Sequence, residues 1–138
     1  MRTIHSLTAA LAFLAFSIVT AKSESPIAPS KWIVTEIFGT PVLAESSVLI
    51  EFPGDGTVAG TTGVNRFGGI AEIDGQKIRF DRLRSTRRAA SPELMDQESR
   101  FNRALANTEQ FSIDSAGILT LLGGSPTPLL QARRNMGE

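Results

Sequence analysis

The sequence predicts a mainly β protein, a small antiparallel, barrel-like meander of about seven or eight strands with one α-helix packed against it. Three observations predict it. Short runs rich in β-branched and aromatic residues recur about every ten residues, separated by turns of Gly, Pro and Asp. A single segment, from Ser91 to Thr108, shifts to 3.6-residue periodicity. Between them lies Gly60-Thr61-Thr62-Gly63-Val64-Asn65-Arg66-Phe67-Gly68-Gly69, with four glycines, Asn65 and Phe67 inside ten residues. Glycine tolerates positive φ and close backbone approach, and Asn is the next best residue at left-handed positions. The stretch therefore reads as a sharp reversal between two strands. A buried Phe67 and hydrogen bonds from Asn65 to nearby backbone would pin it. It lacks the lysine and the following helix of a phosphate-cradling loop.

The strands follow in order. Residues 32–38 hold Trp32 and Val34 on one face, with Ile37 out of phase, which predicts a bulge near Glu36. Gly39 and Pro41 end that strand. Residues 47–52 and 57–62 form the next two, joined by Pro53-Gly54-Asp55-Gly56. Residues 67–73 and 76–83 make a hairpin through Asp74-Gly75, with Ile78 and Phe80 facing one way. Ser91 is a good N-cap, Pro92 suits the first helical position and Glu93 complements the helix dipole. Leu94, Phe101 and Leu105 share the apolar face, with Met95 and Ala104 at its edges. Residues 110–114, 118–122 and 129–133 supply the last strands; the second is nearly all apolar, as if covered on both sides. The core should join Trp32, Phe52, Phe67, Phe80, Phe101 and Leu121.

The chain has 138 residues, 41% of them hydrophobic and 20% charged, which suits one globular domain. Residues 1–21 carry the pattern of a secretory signal peptide. Arg2 gives the positive start, the apolar run spans Leu7 to Val19, and Val19-Thr20-Ala21 places cleavage after Ala21. That run is well short of the ~20 residues that span a bilayer, so no membrane span is expected in the mature chain. Residues 22–30, rich in Ser and Pro, read as a flexible leader, and 135–138 as a frayed tail. The expected location is periplasmic or secreted.

Cleavage would remove Arg2 and His5. Fourteen basic residues become thirteen against fourteen acidic ones, a net charge of −1. The remaining chain has no Cys, His or Tyr. Catalysis by Cys or His is excluded, as is a zinc or copper site built on them. The balanced charge argues against general affinity for nucleic acid. Glu72 with Asp74, or Asp96 with Glu98, could in principle pair for acid–base work, but solvated carboxylates are the simpler reading. Lys22, Lys31 and Lys77 are the only lysines, all in leader or strand-surface positions, so a serine nucleophile would find no buried lysine base. No catalytic residue, cofactor or metal is expected, and the chain is not expected to be an enzyme.

Arg79, Arg82, Arg84, Arg87 and Arg88 form a basic run, which Arg100 and Arg103 of the helix could join. Arg forks match carboxylate and phosphate geometry, so Arg82, Arg84, Arg87 and Arg88 are the candidate partner-binding residues. The plainer reading is a solvated face paired with Glu93, Asp96 and Glu98.

The ordered motifs resemble the META domain, the HslJ-like group of small bacterial envelope proteins. Trp32-x-Val34-x-x-Ile37-x-Gly39-x-Pro41 is similar to that family's first strand. Gly60-x-x-Gly63-Val64-Asn65-Arg66-Phe67 is similar to its G-C-N-x-F signature, and residues 83–90, with Thr86 and Ala90, to its S-T-x-x-A-C segment. Met95-Asp96-x-Glu98-x-x-Phe101-x-x-x-Leu105 follows its helix, and Ile118-x-x-Leu121 and residues 129–133 its final strands. The resemblance covers residues 31–134. It implies a barrel-like β-domain with one helix, an envelope or stress-associated role and no enzymatic activity. Both family cysteines are replaced, by Val64 and Ala90, so the resemblance implies that these two are neighbours without a disulfide. Two functions are left: a monomeric exported domain that docks an unidentified envelope protein, or a small apolar-ligand binder that uses the barrel interior.

Overall fold

The computed structural model describes residues 27–137. The expected signal peptide and the first residues of the expected leader lie outside them. Nine strands and one helix run in the order β1 (Ser30–Ile37), β2 (Thr40–Pro41), β3 (Val48–Phe52), β4 (Thr57–Thr62), β5 (Arg66–Asp74), β6 (Lys77–Ser85), α1 (Pro92–Ala106), β7 (Gln110–Ile113), β8 (Ile118–Leu122) and β9 (Pro128–Arg134). All pairings are antiparallel. From β3 to β9 each strand pairs with the next, and β9 returns to β1, which also pairs with β3, so eight strands close a barrel. The sequence expectation of a mainly β meander with one helix holds. The ninth strand, β2, pairs only with Glu36 and Ile37 at the end of β1. It was hidden because Gly39 and Pro41 read as strand terminators. Instead Phe38 and Gly39, at φ 48° and 76°, turn the chain back on itself.

The bulge expected near Glu36 is present. The β1–β9 register shifts between Val34 and Glu36, which lets Trp32, Val34 and Ile37 all point inward. All six expected core residues are buried in one cluster with Ile50, Phe111, Leu119 and Leu130. Phe67 meets Phe101 edge-on at 5.2 Å between ring centroids, joining sheet to helix. Phe52 and Phe80 stack at 6.2 Å across the interior. β8 alternates between buried Leu119 and Leu121 and half-buried Ile118, Thr120 and Leu122, so its outer face is only partly covered.

The β6–β7 pairing is the narrowest, Lys77 with Gln110 alone. The chain between those strands is α1, which packs against β1, β6 and β9. Ser91 caps α1, accepting from Leu94 N, and Asn107 is its C-cap. Its buried face differs from expectation. Leu94 is half-buried and Met95 exposed, whereas Gln97 and Glu98 are buried beside Phe101, Ala104 and Leu105. Polar side chains can hold such positions only when they are hydrogen-bonded, and both are.

Two boundaries move. The leader expected over 22–30 ends earlier: Ile27 is fully buried in the core and Ser30 already belongs to β1. Ser30 Oγ donates to Ile27 O and accepts from Trp32 Nε1 at 2.7 Å. A Ser/Pro-rich composition read as linker thus conceals one apolar anchor. At the other end, Asn135 N donates to Lys31 O at 2.8 Å, so the tail is tied at its first residue, while Met136 is exposed.

Candidate functional site

The glycine-rich stretch is the reversal between β4 and β5, and Gly63 sits at φ 94° in its bend. Gly60 serves close approach. A Cβ there would lie 1.9 Å from Leu49 O and 2.9 Å from Phe67 Cε1, so the Phe67 ring packs over the bare backbone of its cross-strand partner. The turn is held by a side-chain network. Thr62 Oγ1 accepts from Asn65 N at 2.9 Å and donates to Glu98 Oε1 at 2.9 Å. Asn65 Nδ2 donates to the same Glu98 oxygen at 2.8 Å.

Asn65 was expected to bond backbone close to it in sequence. It reaches 23 residues on instead. Its Oδ1 accepts from Arg88 N at 2.7 Å and from Thr86 Oγ1 at 3.0 Å, and its Nδ2 also donates to Arg88 O at 3.3 Å. Thr86 Oγ1 accepts from Arg66 N at 3.1 Å. One amide therefore joins three chain segments: the turn, the connection from β6 to α1, and the helix. The local work expected of Asn65 is done by Thr62. Gln97, one residue before Glu98, locks the loop after β2 in the same way, accepting from Leu43 N and donating to Ser46 Oγ, both at 2.8 Å.

The motif residues are thus brought together at one place: Gly60, Gly63, Val64, Asn65 and Phe67 on the β4–β5 hairpin, and Thr86 beside Asn65. Ala90 follows in the segment that enters α1. It is exposed and Val64 is half-buried, so Ala90 does not pack as core. Glu98, Thr62 and Arg66 were missed as site residues. The signal for Glu98 was available, because it stands three and seven residues before Phe101 and Leu105 and so shares their helical face. Its charge hid it.

Beside the turn opens a cleft of about 440 Å³, lined by Gly63, Val64, Asn65 and Thr86 and by two cations, Arg66 and Arg88. Among the described residues none of those that line it is acidic. Glu98 lies behind Asn65, its Oε1 engaged by Asn65 and Thr62.

The basic run divides. Arg79 bonds Glu72 at 2.9 Å and lies 3.8 Å from Asp81. Arg100 pairs with Asp96 at 3.0 Å, and Arg103 stacks over Phe38 at 5.0 Å. Arg82, Arg84, Arg87 and Arg88 are exposed, and among the described residues none of them forms an ion pair. Of the pairing expected with Glu93, Asp96 and Glu98, only Arg100 with Asp96 forms among the described residues; the run from Arg82 to Arg88 takes none of the three. Asp96 turns to Arg100 within the helix, and Glu98 is buried. The other acid–base candidates are solvated: Glu72 is held by Arg79, and Lys31 lies 3.7 Å from Glu51 on the surface. Among the described residues no group of three or more His, Cys, Asp or Glu could hold a metal ion, and no helix is long and apolar enough to cross a membrane.

These features define a class, the small closed antiparallel barrel whose single helix is latched to a glycine-rich hairpin through buried polar groups. Within that class the chain belongs to the META domain family, whose profile matches residues 25–135. The match begins before the expected start at residue 31, in keeping with the buried Ile27. Three solved structures share the fold. A protein from Burkholderia xenovorans solved by NMR is 16% identical, with a TM-score of 0.63 over 79% of this chain and 83% of that one. Another NMR structure is 20% identical, with a TM-score of 0.60 over 76% of this chain and 88% of that one. The crystal structure of a DUF4847 family protein from Bacteroides vulgatus is 18% identical, with a TM-score of 0.59 over 82% and 97%. Such identities speak for the fold alone. No curated protein matches the sequence.

Proposed function

We propose that this chain is a non-catalytic exported domain of the cell envelope, one that docks a protein partner through its basic face and serves envelope integrity under stress. One observation carries the reading: Arg82, Arg84, Arg87 and Arg88 stand exposed without an ion pair among the described residues. Unpaired guanidinium groups are free to take carboxylates from another surface, and Arg is enriched where protein interfaces bind tightly. The apolar-ligand reading has less support, because Trp32, Phe52, Phe67, Phe80, Phe101 and Phe111 fill the core.

The test is capture from a periplasmic fraction by the chain starting at Lys22, compared with the Arg84→Glu/Arg87→Glu double variant. A partner retained by the wild type and lost by the variant, at unchanged melting temperature, is the expected result. Equal retention by both returns the arginines to a solvated face. N-terminal sequencing of the exported species should begin at Lys22; a species that keeps Met1 refutes the export assignment.

A further inference from the structure

We infer that the cleft lined by Arg66 and Arg88 is a carboxylate-binding site, the point at which carboxylate groups of the partner are recognised. The inference rests on the docking reading above and gives it an address. Five observations carry it. Two arginines line the cleft, and among the described residues no acidic one does. Neither arginine forms an ion pair among the described residues. The cleft's volume, about 440 Å³, falls within the range of sites that hold small ligands. Its walls are fixed in advance, because Asn65 clamps Arg88 through both backbone N and O, and Thr86 accepts from Arg66 N. Both cations therefore rise from backbone that is already locked, so little ordering of the main chain is needed on binding. The nearest buried acid, Glu98, has its Oε1 held by Thr62 and Asn65, behind the cleft.

The chemistry of the occupant follows. A guanidinium offers paired, coplanar N–H donors that fit a carboxylate through two parallel hydrogen bonds. Two arginines on one cleft of this size suit one or two carboxylates of a peptide. The carboxylates could belong to Asp or Glu side chains or to a chain terminus. The geometry that binds them is shared, and the two sources are separable by experiment.

Heteronuclear NMR titration of the chain from Lys22 decides the matter. Three probes are used: an amidated peptide rich in Asp and Glu, a neutral peptide with a free C-terminus, and inorganic phosphate at matched ionic strength. Binding should shift the amides of Gly63, Asn65, Thr86 and Arg88 with at least one of the two peptides, and which peptide does so names the source. Arg66→Gln and Arg88→Gln should each weaken that binding by about tenfold, the loss of one charge-assisted hydrogen bond. Arg79→Gln, a cation held by Glu72 on the same barrel, should leave binding unchanged. Spectra of all variants report that the fold persists, and lysine at either position should restore only part of the affinity, since it lacks the fork. The inference is overturned if neither peptide shifts the cleft amides, if phosphate binds as tightly as the peptides, or if Arg79→Gln weakens binding as much as the cleft variants do. Its failure is distinct from failure of the docking reading. Partner capture that depends on Arg84 and Arg87 without peptide binding in the cleft removes only the carboxylate site.

Discussion

Replacing Asn65 with Ala tests whether one buried amide holds the hairpin, the strand end and the helix together. The side chain is 5% exposed. Its loss removes the acceptor for Arg88 N and Thr86 Oγ1, and one of the two hydrogen bonds that meet Glu98 Oε1. Neutral hydrogen bonds contribute about 0.5–1.5 kcal/mol each and bonds to a charged group about 1.5–3 kcal/mol. Two of the first kind and one of the second give a loss of about 2.5–6 kcal/mol, a large share of the ~5–15 kcal/mol typical of a domain. Urea unfolding of the chain from Lys22, followed by Trp32 fluorescence, measures it. A companion variant sharpens the argument. Asn65→Asp keeps the shape but turns the donor facing Glu98 into an acceptor. Two carboxylates then face each other, and a proton on either restores the bond. The folded state therefore holds that proton more tightly than the unfolded chain, so the deficit is smallest in acid and grows as pH rises. Adding Glu98→Gln to Asn65→Asp supplies a donor from the other side and should recover much of the loss. A loss below about 1 kcal/mol for Asn65→Ala, within the range of a single neutral hydrogen bond, would refute the reasoning. So would a double variant no more stable than Asn65→Asp alone.

Two further outcomes are expected. Gly60→Ala should destabilise at or beyond the top of the ~1–3 kcal/mol range for overpacking, because its Cβ would stand 1.9 Å from Leu49 O, whereas Gly68→Ala, whose Cβ would stand 3.6 Å from Val58 O, should be near neutral; thermal melts of the pair check the contrast. Val64→Cys with Ala90→Cys should form an intramolecular disulfide in oxidising conditions, since Asn65 and Arg88 are hydrogen-bonded beside them, and should add about 2–4 kcal/mol of stability; free thiols under oxidation, read by alkylation and mass, would separate the two segments.

The sequence by itself determined the barrel and its helix. Period-two alternation placed Ile78 and Phe80 inside, the out-of-phase Ile37 announced the bulge in β1, and Ser91 with Pro92 marked the helix start at its observed position. These are local signals, written in spacing and in residues with strong backbone preferences. The glycine-rich reversal was legible for the same reason. Tertiary structure decided the rest. Nothing near Asn65 in the chain says that its amide will meet Arg88 and Glu98, because those contacts exist only after the barrel has closed. Glu98 and Gln97 carried the right helical phase for burial, yet whether a polar group can be buried depends on partners that arrive from distant segments. Arg66 was lost among the motif residues, and only the fold brings it to the same cleft as Arg88. A charge's neighbours are fixed by packing rather than by sequence distance. For that reason the arginine run could be seen in the sequence, while its division into paired and unpaired members could not.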